Sequence, residues 1–171
     1  MKRWLIGDTH FFDKNIITFE NRPFKTVEEM NICLVYNWNS VVSEEDDVFL
    51  LGDVANTNNI NKADLQKLIK SLNGNISLIT GNHDVDNLDF YAGGCKMKVY
   101  EHPIIVDDFW ILSHKPMYIN DMSPYANIFA HVHNNLIYKT ITRRSYCVSA
   151  ERIHFTPINF DEVVSEIMKY N

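Results

Sequence analysis

Five short apolar runs, each halted by a polar cluster, constrain what this chain can fold into. Arg3 to Gly7 stops at Asp8-Thr9-His10 and Asp47 to Gly52 stops at Asp53. Asn75 to Thr80 stops at Gly81-Asn82-His83-Asp84, Phe109 to Leu112 at Ser113-His114, and Ile128 to Ala130 at His131-Val132-His133. Runs of this length suit buried strands. Segments of helical period separate the first three. Thr26 and Glu29 form a capping-box pair ahead of a helix whose apolar stripe is Met30, Leu34, Trp38 and Val41. Lys62 to Leu72 repeats the pattern with Leu65, Leu68, Ile69 and Leu72, and Asn73-Gly74 reads as its C-cap. Beyond Lys96 strands dominate. Ile104 to Val106 and Phe109 to Leu112 flank Asp107-Asp108 as a hairpin, and further strands are expected at Leu136 to Ile141 and Tyr146 to Ala150. Asp161 to Tyr170 is a closing helix. The pattern is that of one α/β domain whose second half is mostly antiparallel strands.

Composition narrows the function classes. The 171 residues are 46% hydrophobic and 22% charged, enough for a full core without metal or disulfide staples. No apolar run approaches the ~18 residues of a membrane span, so no membrane association is expected. A net charge of −6 disfavours extended nucleic-acid binding but leaves room for a nucleotide-sized ligand. Cys33, Cys95 and Cys147 are far apart and form no Cys-x-x-Cys, which fits reduced thiols. Met1 to Asp8 lacks the apolar core of a signal peptide, and a cytoplasmic location is expected.

The chemistry lies in the polar clusters. In open α/β sheets ligands bind beyond the carboxyl ends of strands, so clusters far apart in sequence can converge in space. Their donors are carboxylate, amide oxygen and imidazole, the ligand set of divalent first-row metals. Singly, each cluster is weak: a His-x-His on a strand also reads as a solvated pair on one face, and Gly-Asp as a turn. Jointly they carry five of the seven histidines: His10, His83, His114, His131 and His133.

Asp-x-His, Gly-Asp, Gly-Asn-His-Asp, a lone His and His-x-His, in this order from Asp8 to His133, resemble the calcineurin-like metallophosphoesterase family. The loop Asp8 to Phe24 and the stretch Val148-Ser149-Ala150 with Thr156-Pro157-Ile158 resemble its small single-domain bacterial and phage-type members. The resemblance implies a two-sheet sandwich flanked by helices, in four layers α/β/β/α, over residues 1–171 with no cap domain. It also implies two divalent metal ions, with Mn²⁺ the first choice and Fe, Zn, Ni or Mg as alternatives. Asp8, His10 and His133 would hold one metal; Asn82, His114 and His131 would hold the other; Asp53 would bridge both. Two cations about 3.5–4 Å apart need such an anionic bridge, and a hydroxide they activate would attack the phosphorus. His83 would be the catalytic non-ligand, stabilising charge on the phosphoryl group or protonating the leaving alkoxide. Asp84, the second catalytic candidate, would orient a neighbouring imidazole or simply serve as a helix-start carboxylate.

Departures from the family pattern refine this picture. Val54-Ala55-Asn56-Thr57 lacks the Asp-Arg-Gly of the family's protein phosphatases, so a clamp on a phosphate dianion is missing. Asn56 or Arg22 is the substitute expected to bind substrate. Ala130 stands where Gly usually precedes His-x-His, and Phe11 where Gly is frequent, with Phe11-Phe12 expected in the core. Lys139, Arg143 and Arg144 form a basic cluster that either attracts a phosphate-bearing substrate or is a solvated face. The expected activity is hydrolysis of a small phosphodiester, nucleotide-like in size. The alternatives are a phosphomonoesterase or pyrophosphatase and, from another class, a silent scaffold that binds partner proteins.

Overall fold

The computed structural model describes residues 1–56, 60–135 and 142–169. Among these, strands β1 (Arg3–Ile6), β2 (Asp47–Leu50), β3 (Asn75–Ile79) and β4 (Lys98–Tyr100) pair in parallel, and β9 (Ile158–Asn159) adds antiparallel to β1. The sheet order is β4-β3-β2-β1-β9. A second sheet, β5-β6-β7-β8, comprises β5 (Ile104–Val106), β6 (Trp110–Leu112), β7 (Ala126–Phe129) and β8 (Ser145–Cys147). Helices α1 (Lys14–Phe19), α2 (Val27–Val41), α3 (Lys62–Lys70) and α4 (Phe160–Met168) flank the two mixed sheets. This is the expected α/β architecture of two sheets with flanking helices.

The local rules account for most elements. Thr26 accepts from the Glu29 N–H, while Glu29 reaches back to the Lys25 N–H, so the cap closes from both sides. Met30, Leu34 and Trp38 turn the apolar face of α2 into the core, with Val41 packed at its rim. Asn31 on the same helix accepts from the Phe12 N–H and thereby holds the first loop. Trp4, Trp38 and Trp110 are all buried, and Phe11 is wholly so, with Phe12 against the core. In the β5–β6 hairpin Asp107 and Asp108 have φ of 50° and 55°, the conformation a tight twisted turn demands.

Several expectations change. The second sheet is not mostly antiparallel: β5 and β6 are, but β6–β7 and β7–β8 are parallel. The long segments 113–125 and 130–144 return the chain to the same sheet edge, which a hairpin turn cannot do. Helix α3 ends at Lys70 with Ser71 as its cap, and Gly74, at φ 93°, instead leads into β3. β4, β9 and α1 were not expected from the sequence. The strand expected over Leu136 to Ile141 lies outside the described residues.

The sheets meet where β1 runs on. Gly7 bridges Ser149 beyond β8, its N–H bonds to Val148 O, and its carbonyl accepts from the Ala150 N–H. A Cβ on Gly7 would stand 2.4 Å from that of Ala130. One core cluster draws on both sheets, including Leu5, Ile6, Leu50, Leu78, Leu112 and Ile128. No described helix is long and apolar enough to cross a membrane.

Candidate metal centre

All five polar clusters follow the carboxyl ends of parallel strands: Asp8 and His10 after β1, Asp53 after β2, Asn82 and His83 after β3, His114 after β6, His131 and His133 after β7. The loops that carry them are tightly wound. Asp8, His10, Phe12, Asp53, His131 and His133 have φ of 56°, 48°, 61°, 52°, 72° and 46°. Left-handed backbone at residues with a Cβ costs of order 1–3 kcal/mol where it is strained, and such positions concentrate at functional sites. Backbone bonds between loops hold it: Asp8 N–H to Gly52 O, His10 N–H to Asp53 O, Phe11 N–H to Val54 O.

Two groups of side chains converge. Asp8, His10 and His133 offer ligand atoms within 4.8 Å of one another, and so do Asp53, His114 and His131. His114 Nε2 stands 3.0 Å from His131 Nδ1, 3.2 Å from Asn82 Oδ1 and 3.4 Å from Asp53 Oδ2. Asp53 Oδ2 also lies 3.7 Å from His10 Nε2, so this carboxylate reaches both groups. Its other oxygen accepts the His83 N–H at 3.0 Å. The His83 ring packs edge-on to that of His10, 5.4 Å between centroids, and the residue is exposed. His114 Nδ1 lies 2.8 Å from Leu51 O, which only an N–H can satisfy, so Nε2 is left as the free lone pair. His133 Nδ1 lies 3.0 Å from Glu151 Oε1.

These residues fit a cation. Asp8 Oδ1 and both ring nitrogens of His10 are buried without a hydrogen-bond partner, an arrangement that costs stability unless something binds them. The electrostatics point the same way. Burial opposes the charge on Asp53, but the His114 ring, the His83 N–H and His10 outweigh it and hold the carboxyl below its usual range. Burial likewise opposes charge on His114, and Asp53 and Asp8 overcome it to raise that pKa. At His131 burial wins, helped by His114 and by the Lys115 charge, and the pKa falls.

Three residues singled out in the sequence have structural partners of their own. Arg22 does not face substrate. Its side chain is fully buried, donating to the carbonyls of Asp8 and Thr9 and to Glu151. Asn56 is half-buried, on the side of the loop where it helps to lower the pKa of Asp13. Asp84 orients no imidazole. It accepts the backbone N–H groups of Asp53, Val54 and Gly81 at 2.7, 3.1 and 2.9 Å and so ties the second motif to the third. Burial and the neighbouring Asp53 push its pKa up to about 6. Arg143 and Arg144 precede β8, at the edge opposite the site, and Arg144 lies over the Phe109 ring; Lys139 lies outside the described residues.

Two contributors escaped the sequence reading. Asp13, the N-cap of α1, sits 3.6 Å from His10 Nδ1, and the His10 ring is the main influence lowering its pKa. Its position three residues beyond His10 was the available signal. Glu151 follows the end of β8 as the motif residues follow their strands.

A model of the calcineurin-like phosphoesterase family matches residues 1–168. An uncharacterized protein of Methanocaldococcus jannaschii is 37% identical over 176 residues, covering 98% of this chain and 92% of that one. The Gene 66 protein of Mycobacterium phage L5 is 32% identical over 81 residues, 47% of this chain and 39% of its own. A protein of unknown function from Aquifex aeolicus, known from its crystal structure, shares the fold with a TM-score of 0.74 at 23% identity, over 96% of this chain and 98% of its own. With the order of its motifs, its two sheets and the family match all in agreement, the chain belongs to the calcineurin-like phosphoesterases, metal-dependent hydrolases of phosphate esters.

Proposed function

We propose that this protein is a binuclear phosphodiesterase acting on a small, nucleotide-sized phosphate ester in the cytoplasm. Asp8, His10 and His133 would hold one divalent cation and Asn82, His114 and His131 a second, with Asp53 shared and Mn²⁺ the first candidate. The observation that carries the reading is the position of Asp53 Oδ2, 3.7 Å from His10 Nε2 and 3.4 Å from His114 Nε2. When bound, such cations supply Lewis acidity to the phosphoryl oxygens and hydroxide at neutral pH.

The chain's own residues do the remaining work. Asp53 offsets the charge of two cations in a buried site. His114 is locked by Leu51 O with its lone pair inward. His83 is exposed at the rim with its backbone N–H bonded to Asp53, which supports a role for its imidazole as the proton donor to the leaving alkoxide. The preference for a diester, which carries one charge at phosphorus, is supported by the guanidinium groups near the site. Arg22 is buried in its ion pair and Arg152 donates to the carbonyls of His133 and Asn135. One observation favours a monoester instead: Lys115 is exposed beside His114, and its charge is felt at His131.

Metal analysis of protein purified without chelator, with parallel assays of bis-p-nitrophenyl phosphate and p-nitrophenyl phosphate, tests the proposal. About two metals per chain and faster cleavage of the diester are expected. Preference for the monoester would leave the centre intact and transfer the role of substrate cation to Lys115. His83→Ala should keep both metals and lose about 10²–10⁴ in kcat, the range of a general acid; loss of a metal would make His83 a ligand.

A further inference from the structure

Glu151 belongs to none of the motifs, yet it touches two of the loops that build the site. It lies in the helical turn Ala150–Ile153 that follows β8. Its Oε1 is 3.0 Å from His133 Nδ1, 2.8 Å from Arg22 Nε and 2.7 Å from Arg22 Nη2. Arg22 in turn donates from Nη2 to Asp8 O at 2.6 Å and from Nη1 to Thr9 O at 3.0 Å. Side-chain exposure is 0% for Arg22, 5% for Glu151 and 12% for His133. A continuous buried path therefore runs from the imidazole of His133 to the backbone of Asp8, which belongs to the same metal-competent group.

We infer that Glu151 is a positioning residue that fixes the His133 ring through its Nδ1–H, and that Arg22 latches this carboxylate to the Asp8–Thr9 backbone. A neutral imidazole has one N–H, and a carboxylate oxygen can only accept. The proton is therefore on Nδ1, and Nε2 is the ring's lone pair. Arg22 holds Glu151 in register, and the same guanidinium grips the loop that presents Asp8 and His10. The two halves of one ligand group are thus tied to each other by this ion pair, beside the His131 N–H that Asp8 accepts at 2.8 Å. Partners of this kind behind a metal-binding histidine typically change metal affinity by about 10–100-fold. The role in metal binding rests on the proposed centre; the tautomer does not.

The test uses both. Long-range ¹H–¹⁵N correlation spectra of the metal-free protein at about pH 10 report which ring nitrogen of His133 is protonated, and Mn²⁺ titration counts the sites. The unsubstituted protein should show His133 with Nδ1–H and take up two equivalents. Glu151→Ala should shift the ring toward Nε2–H and weaken one equivalent by about 10–100-fold while the other stays within a factor of about three. Glu151→Gln keeps an oxygen acceptor at the same place and should restore both readouts. An Nε2–H ring in the unsubstituted protein overturns the inference, and does so even if Glu151→Ala fails to fold. So does a folded Glu151→Ala with both equivalents unchanged, or a Glu151→Gln as impaired as the alanine. If no form binds Mn²⁺, the metal reading falls, and the tautomer still decides the positioning role.

Discussion

Asp84 gathers three backbone N–H groups, from Gly81, Asp53 and Val54, on a wholly buried carboxylate. Truncation would strand all three donors, and a buried unsatisfied group costs about 1–3 kcal/mol. Asp84→Ala should therefore lower unfolding free energy by about 3 kcal/mol or more in denaturant titrations. It should also release the Asp53 loop, so that metal content falls in whatever protein remains folded; a loss below about 1 kcal/mol would mean that water replaces the carboxylate. Donor chemistry was legible: the structure brings the motif carboxylates, Asn82 and the imidazoles together at one edge. The division between residues that face the site and residues that support it was not. Arg22 has the chemistry of a phosphate clamp, but the carbonyls of Asp8 and Thr9 and the Glu151 carboxylate consume its donors. Such partners lie more than a hundred positions away in the case of Glu151, and no local pattern reports them.

The elements work through their ends. Gly52, at φ 79°, passes so close to the loop after β3 that a Cβ there would stand 2.5 Å from Gly81 N. From the opposite side, a Cβ on Gly81 would stand 2.2 Å from Asp53 Oδ1 and 2.5 Å from Asp53 N. No rotation of a flexible tip relieves a clash with a backbone nitrogen. Gly81→Ala should push Asp53 off its position and reduce metal content and kcat together, by about 10²-fold or more in rate if a misplacement near 1 Å results. Circular dichroism should show the secondary structure kept. Retained activity would mean that the two loops can part without harm. Strand and helix positions were readable from apolar runs and caps, as at α2 and the β5–β6 hairpin. Strand direction was not readable from the runs themselves, because short apolar runs look alike in parallel and antiparallel pairs, and β6–β7 and β7–β8 are parallel. The connection lengths held the correction: hairpins need only a few residues, parallel neighbours about a dozen or more, and segments 113–125 and 130–144 are of the second kind. β9 and β4 are two and three residues long, too short for any period to register.

At the scale of the molecule, stability depends on clasps remote from the centre. Asp46 accepts the Lys2 N–H at 2.6 Å, the Trp4 indole N–H at 3.0 Å and the Ser43 N–H at 3.1 Å, fastening the start of β1 to the turn before β2. The Lys2 N–H, followed by the Trp4 and Ser43 donors, holds its pKa down at about 2. A carboxyl depressed on folding contributes stability above its unfolded pKa, about 3.9, and loses it as pH falls through the folded value. Denaturation midpoints should therefore drop between about pH 4 and pH 2, and Asp46→Asn should flatten that part of the profile. An unchanged profile in the variant would assign the acid sensitivity elsewhere.

The seam between the sheets carries a second constraint. Gly7 and Ala130 face each other where only one methyl fits, since a Cβ on Gly7 would lie 2.4 Å from that of Ala130. Gly7→Ala should destabilise the fold, and adding Ala130→Gly should recover much of the loss, a coupling of about 0.5–3 kcal/mol in a double-mutant cycle. The seam also imposes a direction on descent. A lineage that began with glycine at position 130 could admit alanine there only after position 7 had shed its own side chain. The reverse order passes through a collision. Relatives should accordingly be found with glycine at both positions or a methyl at either one, and not with a methyl at both.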